Sequence, residues 1–144
     1  MNFMQRAIEL AKNVELDVPV AALIVKDGKI IAEAVNEREK MNDISSHAEI
    51  NAIKTAEKVL GNWRLDDCDL YVTLEPCPMC AWAILQSRIN AVYFGSYDSN
   101  YGAFGSVIDL KNISNSKIKI YGGINEFDCD KILNDFWKKK RQHG

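Results

Sequence analysis

Apolar positions set the first expectations. Phe3, Met4, Ala7, Ile8 and Ala11 recur at the three-and-four spacing of a helix, which predicts a helix over residues 2–13 with one buried face. "VPVAALIV" (18–25) is a short unbroken apolar run, the pattern of a strand buried on both faces. "KDGK" (26–29) carries the Asp-Gly hairpin signal, so "IIAEAV" (30–35) is expected to return antiparallel. Helical spacing resumes over 47–60 and stops at Gly61. "DLYVTL" (69–74) predicts a third strand, 77–88 a helix, "AVYFG" (91–95) a fourth strand and "KIKIY" (117–121) a weak fifth. A helix over 124–142 closes the chain. A hairpin followed by alternating strands and helices implies a mixed five-stranded sheet covered on both faces, an α/β fold with three α/β/α layers. The pattern leaves the strand order open.

The 144 residues suffice for one domain over 1–144 with a sizeable core, and no linker or repeat interrupts them. No run of 18 apolar residues is present, and the N-terminus lacks the shape of a secretory signal, so the cytoplasm is the expected location, with no membrane as partner. The net charge of −2 is not the footprint of a generally basic nucleic-acid binder. The clearest local patch is "KKKR" (138–141), suited to phosphates and equally to the negative end of its own helix.

Chemistry concentrates in "TLEPCPMC" (73–80). Cys77 and Cys80 are three apart at a predicted helix start, where free backbone N–H groups favour thiolates. In a reducing compartment such a pair points to metal or redox chemistry. Of the two histidines, His143 is next to the last residue, whereas His47 opens a helix in "SSHAEI". Taken together, His47, Cys77 and Cys80 give zinc three protein ligands and leave one position for water, the arrangement of a catalytic site. Glu49 is placed to move protons for that water. Capping explains Glu49 equally well in isolation, since Ser46-x-x-Glu49 is also a capping box. The joint pattern His-x-Glu and Pro-Cys-x-x-Cys decides for catalysis, as it is the known signature of zinc deaminases. Positions i and i+2 face different sides of a regular helix, so His47 and Glu49 can share a metal only at the helix mouth; the expected N-cap is Ser46 or Ser45, with His47 in the first turn. Cys68 and Cys129 read as small buried hydrophobes.

The stretches "DVPVAALIV", "VNEREKMNDISSHAEINAI", "NWRLDDCDLYVTLEPCPMC", "SRINAVYFGSYDSNYGAFGS" and "LNDFWKKKRQ" resemble the cytidine/deoxycytidylate deaminase superfamily and, within it, the bacterial tRNA-specific adenosine deaminases. The resemblance implies a cytidine-deaminase-like fold with one Zn²⁺ per subunit on His47, Cys77 and Cys80, and Glu49 as proton shuttle. It implies that Asn36 and the backbone of Ala48 touch the target base and that Asp98 lies near the neighbouring sugar. The implied reaction converts adenosine to inosine at the wobble position of a tRNA anticodon, using zinc-activated water. Ala21, Ile44, Trp82, Tyr101 and Phe104 depart from the family pattern without removing a catalytic group.

A base must be splayed out of its stack to reach such a pocket, so aromatic walls are needed. Phe94, Tyr97, Tyr101 and Phe104 are available; Phe94 is expected in the core, while Tyr101 and Phe104 suit either core or stacking. Apolar groups on two sides of the cysteine-bearing helix, Cys77, Cys80, Ala81 and Ile84 against Met79, Trp82 and Ala83, call for a cover on the second side. A homodimer, which the resemblance also implies, or the chain's own loops would supply it. Two rivals remain: the same chemistry on free guanine or cytosine or their nucleosides, and a non-catalytic zinc or RNA-binding module, which needs a fourth ligand.

Overall fold

A computed structural model describes residues 2–143. The elements are α1 (Phe3–Lys12), β1 (Ala21–Lys26), β2 (Lys29–Val35), α2 (Ala48–Leu60), β3 (Cys68–Leu74), α3 (Pro78–Gln86), β4 (Ala91–Ser96), α4 (Leu110–Ser114), β5 (Lys119–Tyr121) and α5 (Glu126–His143). All expected helices and strands are present, with ends displaced by a few residues, and α4 is an addition. Its five residues lack the length for a legible periodicity; Asp109 caps it by accepting from the N–H of Asn112.

The strands form one sheet in the order β2-β1-β3-β4-β5. β1 is antiparallel to both neighbours, while β3, β4 and β5 are mutually parallel. Four strands therefore point one way and β1 alone points back. The β1–β2 turn places Asp27 and Gly28 at φ 51° and 74°, the left-handed pair that an Asp-Gly hairpin requires. A register shift between Ile24 and Val25 marks a bulge in this hairpin.

Strand alternation divides the interior. Ala22 and Ile24 of β1 join the larger core with Ala52 and Ala56 of α2, Ala81 and Ile84 of α3, and Leu70 and Val72 of β3. Ala21 and Leu23 face the other way, into a smaller core with Met4, Ile8 and Ala11 of α1 and Cys129 of α5. Helices thus cover both faces, and β1 is buried on each side, as its unbroken apolar run requires. Tyr71, Tyr93 and Tyr121 pair in register across β3, β4 and β5 and stack with ring centroids 4.6 and 5.0 Å apart. Cys68 and Cys129 are free and buried. Among the described residues no helix is long and apolar enough to cross a membrane.

Candidate active site

The candidate metal group forms where two helices begin. α2 starts at Ala48, and His47 is its N-cap, with extended φ and ψ of −76° and 155°. The expected placement of His47 in the first turn is corrected by one residue, and neither Ser45 nor Ser46 is the cap. The Ser46–Glu49 capping box does not form either: the Ser46 hydroxyl donates to Asn51 Oδ1 at 3.3 Å. The extended backbone at position 47 lets the imidazole turn toward the same space as Glu49 without violating helical geometry. Cys77 is likewise the N-cap of α3, before Pro78 at the first helical position, where its missing N–H costs nothing. Cys80 follows in the first turn and is buried.

His47 Nδ1 lies 3.7 Å from Cys77 Sγ and 3.4 Å from Cys80 Sγ. All three donor atoms fall within 4.8 Å of one another. Zn–S bonds of about 2.3 Å and Zn–N bonds of about 2.0 Å at tetrahedral angles give N···S separations of about 3.5 Å, so the donor set fits zinc. Hydrogen bonding with Cys80, aided by His47, lowers the Cys77 thiol to about 4, against the opposing effect of burial. Cys80 is raised by its hydrogen bond with Cys77 and by burial. Metal ligation requires both thiols as thiolates, so a divalent cation binding here releases protons.

Glu49 is a buried charged residue in the first turn of α2. Burial raises its carboxyl to about 7, with the Cys77 thiolate adding to the rise and His47 opposing it. Such a group both accepts and releases a proton near neutrality.

The centre opens into a cavity of about 600 Å³, ample for a nucleoside. Asn36, Ala48 and Asp98 line it, as do His47, Glu49 and Cys77. Asn36 donates to the Val18 carbonyl at 3.2 Å and accepts from the Arg38 N–H at 3.3 Å. Asp98 Oδ1 accepts from the N–H groups of Asn100 and Tyr101, both at 3.0 Å. Tyr101 lines the cavity and is 68% exposed, whereas Phe104 is 8% exposed, packs in the larger core and lies off the cavity wall. Of the two roles open to Phe104, core or stacking, the structure shows core packing, as at Phe94, so its candidacy as a substrate contact is not supported by the cavity lining. Tyr97 is exposed on the wall with its ring perpendicular to that of Phe94, centroids 5.1 Å apart. Sequence reasoning missed the wall that α5 provides through Asp130, Leu133, Asn134 and Trp137. The apolar Leu133 and Trp137, one helical turn apart in "LNDFW", were the available signal. Lys138 to Arg141 continue the same helix and are exposed.

An imidazole and two thiols beside a buried carboxylate, at the edge of an α/β/α sheet, define the class of zinc-dependent hydrolytic deaminases. Residues 1–96 match the family described as the cytidine and deoxycytidylate deaminase zinc-binding region, and the chain belongs to that family. It is 40% identical over 144 residues to the tRNA-specific adenosine deaminase of Bacillus subtilis (strain 168), covering 97% of this chain and 89% of the relative. A solved structure from work on A-to-I editing by tRNA:A34 deaminases at the wobble position of transfer RNA superposes with a TM-score of 0.88 at 38% identity, over 91% of this chain and 98% of that one. The guanine deaminase of Bacillus subtilis superposes with a TM-score of 0.64 at 36% identity, over 80% and 91%.

Proposed function

We infer that this enzyme hydrolyses adenosine to inosine at the wobble position of a tRNA anticodon. The observation that carries the substrate class is the near-full-length 40% identity to a tRNA-specific adenosine deaminase, since the metal centre alone serves several bases. The guanine reading has the support of the Bacillus subtilis guanine deaminase fold, but that superposition is poorer and shorter. A non-catalytic module lacks support: among the described residues the metal group has three members, and neither Cys68 nor Cys129 joins it.

His47 Nδ1 and the Sγ atoms of Cys77 and Cys80 would hold the zinc, and the backbone at two helix N-termini orients them. Bound there, zinc supplies Lewis-acid activation of a water molecule. Glu49 would take a proton from the attacking water and deliver it to N1 of adenine as the water oxygen bonds to C6. It would then carry the second proton to the departing N6 nitrogen, so that water and the C6–NH₂ group become a C6 carbonyl and ammonia. Burial of Glu49 keeps bulk water from competing for the proton. Asn36 and the backbone of Ala48 orient the base, and Asp98 and Tyr101 meet the adjoining nucleotide. The anticodon stem-loop is the partner, because an unpaired loop base is extruded at least cost.

Single-domain organisation over 1–144, a cytoplasmic location and a homodimer complete the reading. Met79 and Trp82 of α3 are 38% and 47% exposed, an apolar pair that a second subunit would cover. The function is tested by incubating zinc-loaded protein with an anticodon stem-loop carrying wobble adenosine, and with free adenosine, cytidine and guanine in parallel. Inosine confined to the wobble position is expected; ammonia from a free base or nucleoside alone overturns the tRNA assignment.

A further inference from the structure

Glu75 takes no part in the proton chemistry, yet it is among the most enclosed charged residues, at 2% exposed. It lies one residue beyond β3 and two before Cys77. A carboxylate removed from water needs its acceptor positions filled. Glu75 fills them from the segment that follows β4. Oε1 accepts from the N–H of Asp98 at 3.0 Å and from the hydroxyl of Ser106. Oε2 accepts from the N–H groups of Phe104 and Ser106, both at 3.1 Å. The main chain reinforces the arrangement: the Ala103 N–H donates to the Pro76 carbonyl at 2.9 Å, and the Glu75 N–H donates to the Ser96 carbonyl at 2.8 Å. Gly102 lies against the carboxylate, where a Cβ would fall 2.4 Å from Glu75 Cδ and 2.6 Å from the Asp98 carbonyl oxygen. The loop is drawn in so closely that position 102 has no room for a side chain.

We propose that Glu75 is a positioning residue for substrate recognition, whose carboxylate holds residues 98–106 in the shape that presents Asp98 and Tyr101 to the nucleotide beside the reacting base. The assignment rests on the reading of an RNA substrate given above. Residues 75–77 carry both this carboxylate and a metal ligand, so the loop is registered directly to the metal centre. Charge-assisted hydrogen bonds from four donors make the registration stiff. A wall held in this way lowers the ordering cost of binding. Its loss falls on substrate affinity, because the three metal ligands and Glu49 are held by other bonds.

Glu75→Gln tests this. The amide has the shape of the carboxylate, but its NH₂ must face either the Asp98 N–H or the N–H groups of Phe104 and Ser106, so a donor opposes a donor. The expected result for a wobble-adenosine stem-loop is a KM increase of roughly tenfold or more, the size of one charge-assisted hydrogen bond. Turnover at saturation and zinc content stay near wild type, and amide exchange accelerates at residues 98–106. Ser106→Ala removes a single donor without forcing a clash, and it shifts KM the same way by a smaller factor. This variant decides the matter if Glu75→Gln does not fold. An unchanged KM in both variants overturns the proposal, as does a fall in kcat that tracks zinc loss. If wild-type protein converts no adenosine, the RNA reading has failed separately, and amide exchange then decides: unaltered protection at residues 98–106 in the variants overturns the role of Glu75.

Discussion

Glu49→Gln separates proton transfer from metal binding. The substitution retains side-chain volume at a buried position, so packing is preserved. The donor atoms of His47, Cys77 and Cys80 converge without Glu49, so zinc stoichiometry should remain at one per chain. What should disappear is the proposed carrier of protons from water to N1 and then to the amine. A positioned general acid/base contributes about 10²–10⁴ in rate, which corresponds to about 2.7–5.4 kcal/mol of barrier. The upper part of that range applies here, because the 5% exposure of Glu49 leaves little access for buffer or bulk water to substitute. Single-turnover conversion of the stem-loop with enzyme in excess reports the chemical step, and metal analysis of the same sample reports occupancy. A rate within tenfold of wild type refutes the proton role. Loss of zinc together with activity refutes the separation of roles and makes Glu49 a structural member of the centre.

Cys77→Ser and Cys80→Ser should each lose bound zinc, whereas Cys68→Ala and Cys129→Ala should retain one per chain, since those thiols are buried away from the metal group; zinc content of the purified variants checks this. Trp82→Glu should shift the protein to monomer in sedimentation velocity, as a carboxylate would replace exposed apolar surface on α3; an unchanged sedimentation coefficient refutes the interface. Arg6 Nε lies 2.7 Å from Glu33 Oε2 and Arg6 Nη2 lies 3.0 Å from Oε1; this hydrogen bonding holds the Glu33 carboxyl below its usual 4.5, against a smaller opposing effect of burial. A depressed carboxyl adds stability above its unfolded pKa, and the gain is lost as pH falls through the folded value. Arg6→Ala should therefore move the Glu33 titration up toward 4.5 by NMR, and an unmoved midpoint refutes the pairing.

The parts legible in the sequence were those specified by neighbours along the chain. Periodicity located α1 and α2, the Asp27-Gly28 turn located the hairpin, and Gly61, at φ 66°, ended α2 where expected. The candidate metal group was legible because His47-x-Glu49 and Pro76-Cys77-x-x-Cys80 are short local patterns whose joint occurrence carries the chemistry, whereas the cap of α2 was misplaced by one residue. The loop after β4 was not legible, because its organiser lies elsewhere in the chain: Glu75 is 23 to 31 residues from the donors it gathers. Phe104 illustrates the consequence. Its aromatic character suited both core and stacking, and the bond from its N–H to Glu75 places it where the ring is covered by the larger core. The α5 wall depends on a similar distant tie, the Ser96 hydroxyl donating to Asp130 Oδ1 at 2.6 Å across 34 residues.

The direction of β1 explains why these pieces meet. With β1 alone reversed, the carboxyl ends of β2, β3 and β4 all emerge at one edge of the sheet. Each then hands the chain to a different part of the site. β2 leads through Asn36 toward His47 and α2, β3 leads through Glu75 to Cys77 and α3, and β4 leads to Asp98 and Tyr101. Open α/β sheets bind ligands outside such carboxyl ends. The amino end of β1 reaches the same edge, and Val18 and Val20 just before it add apolar lining to the cavity. α2 and α3 start there as well, so the positive ends of both helices favour the thiolates and the carboxylate gathered between them. One strand reversal thus accounts for the convergence of groups that are 62 residues apart, from Asn36 to Asp98. β5, a three-residue strand that also points this way, sits at the outer side of β4, and none of its residues lines the cavity.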